Sequence, residues 1–200
     1  MQCLNHKFEE AYRPGKSNSG DVILPESISI QHALWNFDKG GYLQELLHQL
    51  KYHRLTGVGE DIGRQLGKSL LQNPAFIKSI ERKKVRLVPV PLHPRKRRMR
   101  GYNQAFYIAK GVAEVTNLKI LPKDAVVRNR NTKTQTGFSL EKRRKNIQGA
   151  FTVSDPEVVK ETVCVIIDDV FTTGATTFEL SRVLKKAGSL DLLIATVAQA

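Results

Sequence analysis

The chain has few cysteines, few acids and no long apolar run. Two cysteines in 200 residues, Cys3 and Cys164, are too few and too far apart for a disulfide framework, so a reducing compartment is expected. Cys164 sits in an apolar run and reads as core. Cys3 with His6 resembles half of a metal site, but no second pair follows, so no zinc is expected. No apolar stretch approaches the roughly 18 residues of a membrane helix, and no basic–apolar–small-residue leader opens the sequence. The expectation is a folded cytoplasmic protein with no membrane insertion. Acids are the scarcer charge, 19 against 32 Lys and Arg, giving a net charge of +13. A balance this basic favours polyanions, either nucleic acid or multiply phosphorylated substrates.

Hydrophobic periodicity alternates between helix and strand. Leu43, Leu46, Leu47 and Leu50 share a helical face over 42–54, and Ile62, Leu66 and Leu70 do so over 60–72, with Gly57 and Gly59 read as the turn between. Val85–Val90 suits a buried strand that stops at Pro89 and Pro91. Residues 103–117 form a helical stripe through Ala105, Ile108, Ala109, Val112 and Val115. Short β-prone pieces follow near 124–128 and 150–153. Val163–Val170 is typical of a central parallel strand. A helix over 176–187, with Gly188 as its C-cap, and a strand over 190–197 complete the pattern. The reading is an α/β fold with a mostly parallel central sheet flanked by helices and a small N-terminal helical lobe. Residues 1–40 are read as an extension and 41–200 as the main domain.

The most informative segment is VIIDDVFTTGAT. A buried strand ends in Asp168 and Asp169, and Thr172, Thr173, Gly174 and Ala175 form a loop. Thr176-x-x-Glu179 has the spacing of a capping box at the helix start. Open α/β sheets bind ligands at strand carboxyl ends, and helix N-termini attract phosphate. Gly174 allows close backbone approach, and the threonine hydroxyls can donate to phosphate oxygens. The two aspartates can accept from vicinal hydroxyls or hold a divalent cation directly or through water. Together these residues read as a seat for a ribose 5-phosphate. A plain strand end with solvated turn threonines is the competing reading. A phospho-acceptor aspartate is another, although such acid pairs normally follow the first strand. Two glycine patterns, Gly57-Val-Gly59 and Gly67-Lys68-Ser69, imitate nucleotide fingerprints but lack the required glycines and a preceding strand.

Two basic runs accompany this segment. Residues 82–100 carry nine Lys/Arg and residues 128–145 carry seven. The first follows a strand end, so its loop should face the aspartates. Within it, Arg100, Gly101, Tyr102, Asn103 and Gln104 form a turn into a helix that Asn103 can cap. Tyr102, Phe106 and Tyr107 are a candidate stacking platform, with core packing the stronger reading for Phe106. The second run, Arg128–Gln148, shows no periodicity and reads as a mobile loop.

VPVPLHPRKRRMRGYNQA at 88–105, RNRNTKTQTGFSLEKRRKNIQGAF at 128–151 and VCVIIDDVFTTGATT at 163–177 resemble the competence protein F family of the phosphoribosyltransferase-like superfamily. YLQELLHQLKYH at 42–53 is a weaker echo. The resemblance implies a type I phosphoribosyltransferase fold that binds 5-phosphoribosyl pyrophosphate (PRPP). Asp168 and Asp169 would hold the ribose hydroxyls as the catalytic acids, Thr172–Thr176 would surround the 5-phosphate, and Leu92, His93, Pro94 and Arg95 would form the pyrophosphate loop. Arg100, Asn103, Gln104, Gln135 and Arg144 would belong to a flexible hood and basic surface. Mg²⁺ would bridge pyrophosphate and ribose, with Asp168 and Asp169 as indirect ligands. The expected partner is PRPP or a related sugar phosphate, with transfer to an acceptor the sequence does not reveal. The alternative is handling of single-stranded DNA in DNA uptake. Members usually begin with a four-cysteine zinc module, and here Cys3 stands alone.

Overall fold

The structure, a computed structural model, describes residues 8–11, 22–132 and 145–200. Five strands form one sheet in the order β1 (Ile28–Asn36), β7 (Asp191–Gln199), β6 (Val163–Phe171), β2 (Val85–Pro89), β3 (Lys119–Ile120), and every neighbouring pair is parallel. The parallel α/β reading is therefore borne out. The central strands are apolar on both faces because both are covered. Val163, Val165 and Ile167 of β6 enter one core cluster, while Cys164 and Ile166 enter the other. On the first face lie α1 (Tyr42–Tyr52), α2 (Thr56–Leu71), α3 (Pro74–Ile80) and α5 (Gln104–Thr116). The second carries α6 (Ala175–Lys186) and an antiparallel pair, β4 (Val126–Arg128) with β5 (Phe151–Val153). A short helix, α4 (Pro94–Arg100), buries none of its residues. The helical lobe expected near the N-terminus takes the form of α1–α3 on the sheet face.

Several sequence expectations change. β1 is not among the strands expected from the sequence: Ala33, Leu34 and Trp35 are buried in succession, so the strand shows no clean alternation, and the sheet takes in residues before position 41. α2 begins at Thr56, so Gly57 and Gly59 lie inside the helix rather than in a turn. Gly59, Gly63 and Gly67 recur every four residues on the buried face of α2. A Cβ on Gly63 would stand 2.1 Å from the Ile108 carbonyl oxygen, and one on Gly111 of α5 would stand 2.0 Å from the Glu60 carbonyl oxygen. Gly59 and Gly67, one from each pattern that imitates a nucleotide fingerprint, thus join Gly63 and Gly111 in bringing two helix backbones together. The Lys110–Glu60 and Arg64–Glu114 ion pairs flank the contact.

His32 of β1 is fully buried against Asn73 and Ser69. The Asn73 Oδ1 caps α3 by accepting from the amides of Ala75 and Phe76, so its Nδ2 is the donor that faces His32 Nδ1. That leaves Nδ1 unprotonated and Nε2–H donating to Ser69 Oγ at 3.0 Å. Burial lowers the imidazole pKa to about 4.

Gly63→Ala gains about 1 kcal/mol in helix propensity but meets a backbone oxygen, and overpacking costs about 1–3 kcal/mol. Net destabilisation is expected, with the melting temperature falling about 2–4 °C per kcal/mol. Gly57→Ala, where a Cβ meets nothing within 4 Å, is expected to hold or raise it; equal melting of the two variants would refute the close-contact account. For His32, the folded pKa is depressed, so its contribution is present above pH 6.5 and is lost as pH falls toward about 4. The loss is about 3 kcal/mol. Denaturant titrations of His32→Gln should show a flatter pH dependence than the parent chain across that window.

Candidate functional site at the β2–β6 switch point

β2 and β6 are neighbours whose onward chains part. From β2 the chain runs through α5 to β3 on one side; from β6 it runs through α6 to β7 on the other, across the opposite face. Such a divergence leaves a crevice at the carboxyl ends of the two strands, the place where open α/β sheets bind ligands. A cleft of about 180 Å³ occurs there, lined by Lys51, Val90, Leu92, Lys96, Arg100, Gln104, Arg128, Thr132, Asp168, Asp169 and Thr176.

β6 continues through Asp168 and Asp169 to Phe171, so the acids lie within the strand and not at its last residue. The pleat then sends them to opposite faces. Asp169 is buried on the face that carries α1, where Lys51 pairs with its carboxylate. Burial alone would raise Asp169, but the Lys51 ammonium and the hydrogen bonds from Asp168 and Lys51 outweigh it and hold the carboxyl below its ordinary value. Asp168 accepts from the Asp169 amide at 2.9 Å. Burial and then the adjacent Asp169 charge push its carboxyl well above the ordinary range. The two environments drive the pair apart. Asp169 stays an ionised acceptor, whereas Asp168 is able to carry a proton.

The loop after β6 turns at Gly174, whose φ of +71° suits glycine and whose Cβ position is filled by the Phe178 ring at 2.4 Å. Gly174 is also the N-cap of α6, and no side chain caps that end, which corrects the capping-box expectation. Glu179 instead accepts from the Gly149 amide at 2.8 Å and pairs with Arg182. The amides of the first turn of α6 are thus left for another acceptor. The buried Thr173 hydroxyl has no hydrogen-bond partner among the described residues.

The basic side is built from three elements. Asn103 accepts from the Ala105 amide to cap α5 and donates to the Val90 carbonyl at 3.0 Å, tying α5 to the end of β2. Arg100 donates to Gln104 Oε1 at 3.2 Å and lies over the Tyr52 ring at 5.4 Å. Arg128 ends β4, is buried over the Phe151 ring and donates to Thr132 Oγ1 at 2.5 Å. Burial lowers the Lys96 pKa, and the Arg128 and Arg100 charges lower it further. Burial likewise lowers Arg128. Four cations, Lys51, Lys96, Arg100 and Arg128, therefore face two carboxylates, one of which resists ionising, and the cleft favours an anion.

Of the residues expected from sequence, the cleft unites Leu92, Arg100, Gln104, Asp168, Asp169 and Thr176. His93, Pro94, Arg95, Asn103, Thr172, Thr173, Gly174 and Ala175 stand beside it without lining it. The Leu92–Arg95 stretch is only half a loop, since His93 caps α4 and Pro94 and Arg95 begin it. Gln135 and Arg144 lie outside the described residues, as does Cys3. Arg128 is a strand residue, not the start of a loop. Sequence reasoning missed Lys51, Lys96, Arg128 and Thr132 as site residues. Lys51 did carry a signal, because it follows Leu47 and Leu50 along the buried side of α1. No group of three or more metal-ligating side chains occurs among the described residues, and none of their helices is long and apolar enough to cross a membrane.

No family model matches the chain. It is 35% identical over 116 residues to competence protein F of Haemophilus influenzae, covering 57% of this chain and 50% of that protein. To the DNA utilization protein YhgH of Escherichia coli K12 it is 32% identical over 147 residues, covering 74% and 63%. The Salmonella typhimurium YhgH is 32% identical over 154 residues, covering 76% and 65%. The chain thus spans between half and just under two thirds of these relatives. A solved structure of glutamine phosphoribosylpyrophosphate (PRPP) amidotransferase from B. subtilis, complexed with ADP and GMP, aligns with 68% of this chain and 26% of its own, at 21% identity and a TM-score of 0.41.

Lys51→Met removes the ammonium that holds Asp169 ionised. Carboxyl-detected NMR titration is expected to show Asp169 moving upward; an unmoved Asp169 would mean that the pairing does not exist in solution.

Proposed function

We propose, from the premise that this chain is a homologue of the competence protein F and YhgH proteins, that the β2–β6 cleft binds PRPP or a closely related phosphorylated ribose. The observation that carries the reading is the opposition, across one switch point, of an acid pair and a cluster of four cations. A phosphorylated ribose has the matching halves. Its vicinal hydroxyls donate to Asp168 and Asp169. Its 5-phosphate accepts from the first-turn amides of α6 and from the loop threonines. A pyrophosphate at the anomeric carbon meets Lys96, Arg100 and Arg128 beside the Leu92–Arg95 stretch.

Two carboxylates, one of them tied to Lys51, do not make a cage for a divalent ion. They do fit Mg²⁺ in its usual mode, held mostly by substrate phosphates and water with help from one or two carboxylates. Asp168 and Asp169 would be those contacts, and the ion would share the pyrophosphate charge. In a transfer reaction the chain's own part is positioning and charge stabilisation: the cations steady the departing pyrophosphate, and Asp169 fixes the ribose while an acceptor attacks the anomeric carbon.

A second reading rests on α4. Its sequence PRKRRMR buries no residue, and Arg95, Arg97 and Arg98 are exposed. Such a helix offers a surface for nucleic-acid phosphates, and the names of the relatives point the same way.

Calorimetry with PRPP and Mg²⁺ should show saturable binding. Asp168→Asn with Asp169→Asn should weaken it at least tenfold, since a hydrogen bond to a charged group is worth about 1.5–3 kcal/mol. Absence of PRPP binding by the intact chain overturns the reading. Release of pyrophosphate in the presence of candidate amines or bases checks transfer. For the second reading, affinity for a single-stranded oligonucleotide should fall steeply between 50 and 200 mM salt, roughly 10³-fold or more if about six phosphates are contacted; a flat response counts against it.

A further inference from the structure

Leu92 and Arg128 each have two sides. One closes the carboxylate cleft; the other lines a separate and larger cavity of about 720 Å³. This second cavity lies beyond β2, bounded by α4, α5 and residues 121–128. It exists because β3 is short. Only Arg86 and Leu87 of β2 pair with it, so Val88 and Pro89 have no strand on that side. Val90 donates to the Ile167 carbonyl of β6 at 2.9 Å, so alternation turns the preceding residue's amide position outward. That residue is Pro89, which has no N–H to leave unpaired. The space is therefore a built feature of the sheet edge.

Its lining has two kinds of surface. Phe106 and Tyr107 form an edge-to-face pair with centroids 5.7 Å apart at 89°, and Tyr102 packs on Tyr107 at 5.7 Å and 62°. Exposed Arg97 and Arg98 contribute cations to the same lining. Its volume falls in the range of small-molecule sites, about 300–1,000 Å³. Aromatic walls favour a flat π-system, and guanidinium groups favour phosphate. An aliphatic guest uses neither property, and a bare sugar phosphate leaves the apolar walls unfilled.

We propose that this cavity binds a nucleobase that carries a phosphate, stacked on the Phe106 ring with the perpendicular Tyr107 ring at its edge and its phosphate on the Arg97–Arg98 side. The chemistry is the same whether the base belongs to a free mononucleotide or to a single strand. The site is distinct from the acid-pair cleft and does not rest on the sugar-phosphate reading.

The test is NMR of the intact chain, following the Phe106 and Tyr107 ring resonances during separate titrations with AMP, GMP, UMP, CMP, (dT)₈, (dA)₈ and inorganic phosphate. Movement with at least one mononucleotide or oligonucleotide, and not with phosphate alone, is expected. Response to mononucleotides assigns a free nucleotide; response to oligonucleotides only assigns a base within a strand. Phe106→Ala should weaken binding at least fivefold, since base–aromatic stacking is worth about 1–3 kcal/mol. If that variant does not fold, Pro122→Trp, at an exposed lining position, should block entry and have the same effect. Binding should persist in the Asp168→Asn, Asp169→Asn double variant, which separates this site from the cleft. The proposal is overturned if no probe moves the rings at millimolar concentration, if phosphate alone reproduces the shifts, if Pro122→Trp leaves binding unchanged, or if the double variant abolishes it.

Discussion

Pro89 of β2 pairs with Ile167 of β6 in parallel register, and the next residues are Val90 on one strand and Asp168 on the other. Beyond this point the two chains cannot follow each other. One must cross to the face that carries α5 and the other to the face that carries α6. The parting is a topological necessity once the strand order is β7-β6-β2-β3. It sets the acids and the basic segment opposite each other without any direct bond between them. A one-residue slip of β6 against β2 would exchange the faces of Asp168 and Asp169 and leave Lys51 without its partner. Register is held by apolar faces on both sides of β6, so the chemistry at the strand end is fixed by hydrophobic packing many residues away.

The charges at this point do not balance. Lys51 satisfies Asp169, but burial and that same neighbour discourage Asp168 from ionising, while Lys96, Arg100 and Arg128 crowd one another. Like charges held together without a counter-ion oppose folding. The cluster is tolerated because Arg128 and Arg100 lie over aromatic rings and each donates to a neutral oxygen. It behaves as a standing deficit of negative charge in a small volume. Phosphate groups entering the cleft would offset that deficit, which is the electrostatic basis of the proposed ligand.

How much of this was legible in the sequence follows from how local each signal is. VIIDDVFTTGAT announces a strand, a turn and a helix within twelve residues, so the acid pair and its loop could be read directly. Asn103 could be recognised as a cap because capping is a contact between residues two apart. Arg128 could not be placed in this way, because only the packing of β4 brings it to the cleft. For Lys51 the local signal was its place beside the buried stripe of α1, but its partner Asp169 lies far along the chain and no neighbouring residue records it. β1 was missed for a related reason: its outer pairing is minimal and its apolar residues are interrupted by Gln31 and His32, the latter buried through bonds to Asn73 and Ser69. Gly57 and Gly59 read as a turn because paired glycines usually mark one; that Gly59 belongs to a buried helix face shows only once the partner helix α5 is known.

The contact between α2 and α5 bears on how such a chain can diverge over time. At Gly63 and Gly111 there is no side-chain layer that could yield when a neighbour grows; the next atoms are peptide oxygens. Neither position accepts a single carbon unless the two helices separate, and separation would drag Asn103 and Gln104 away from the end of β2. None of the arginines of α4 is buried, so core packing does not restrict exchange there and only what they bind can. Mutation therefore meets two regimes a few residues apart. The silent, featureless glycines are the ones barred from change, whereas the conspicuous charges are open to experiment.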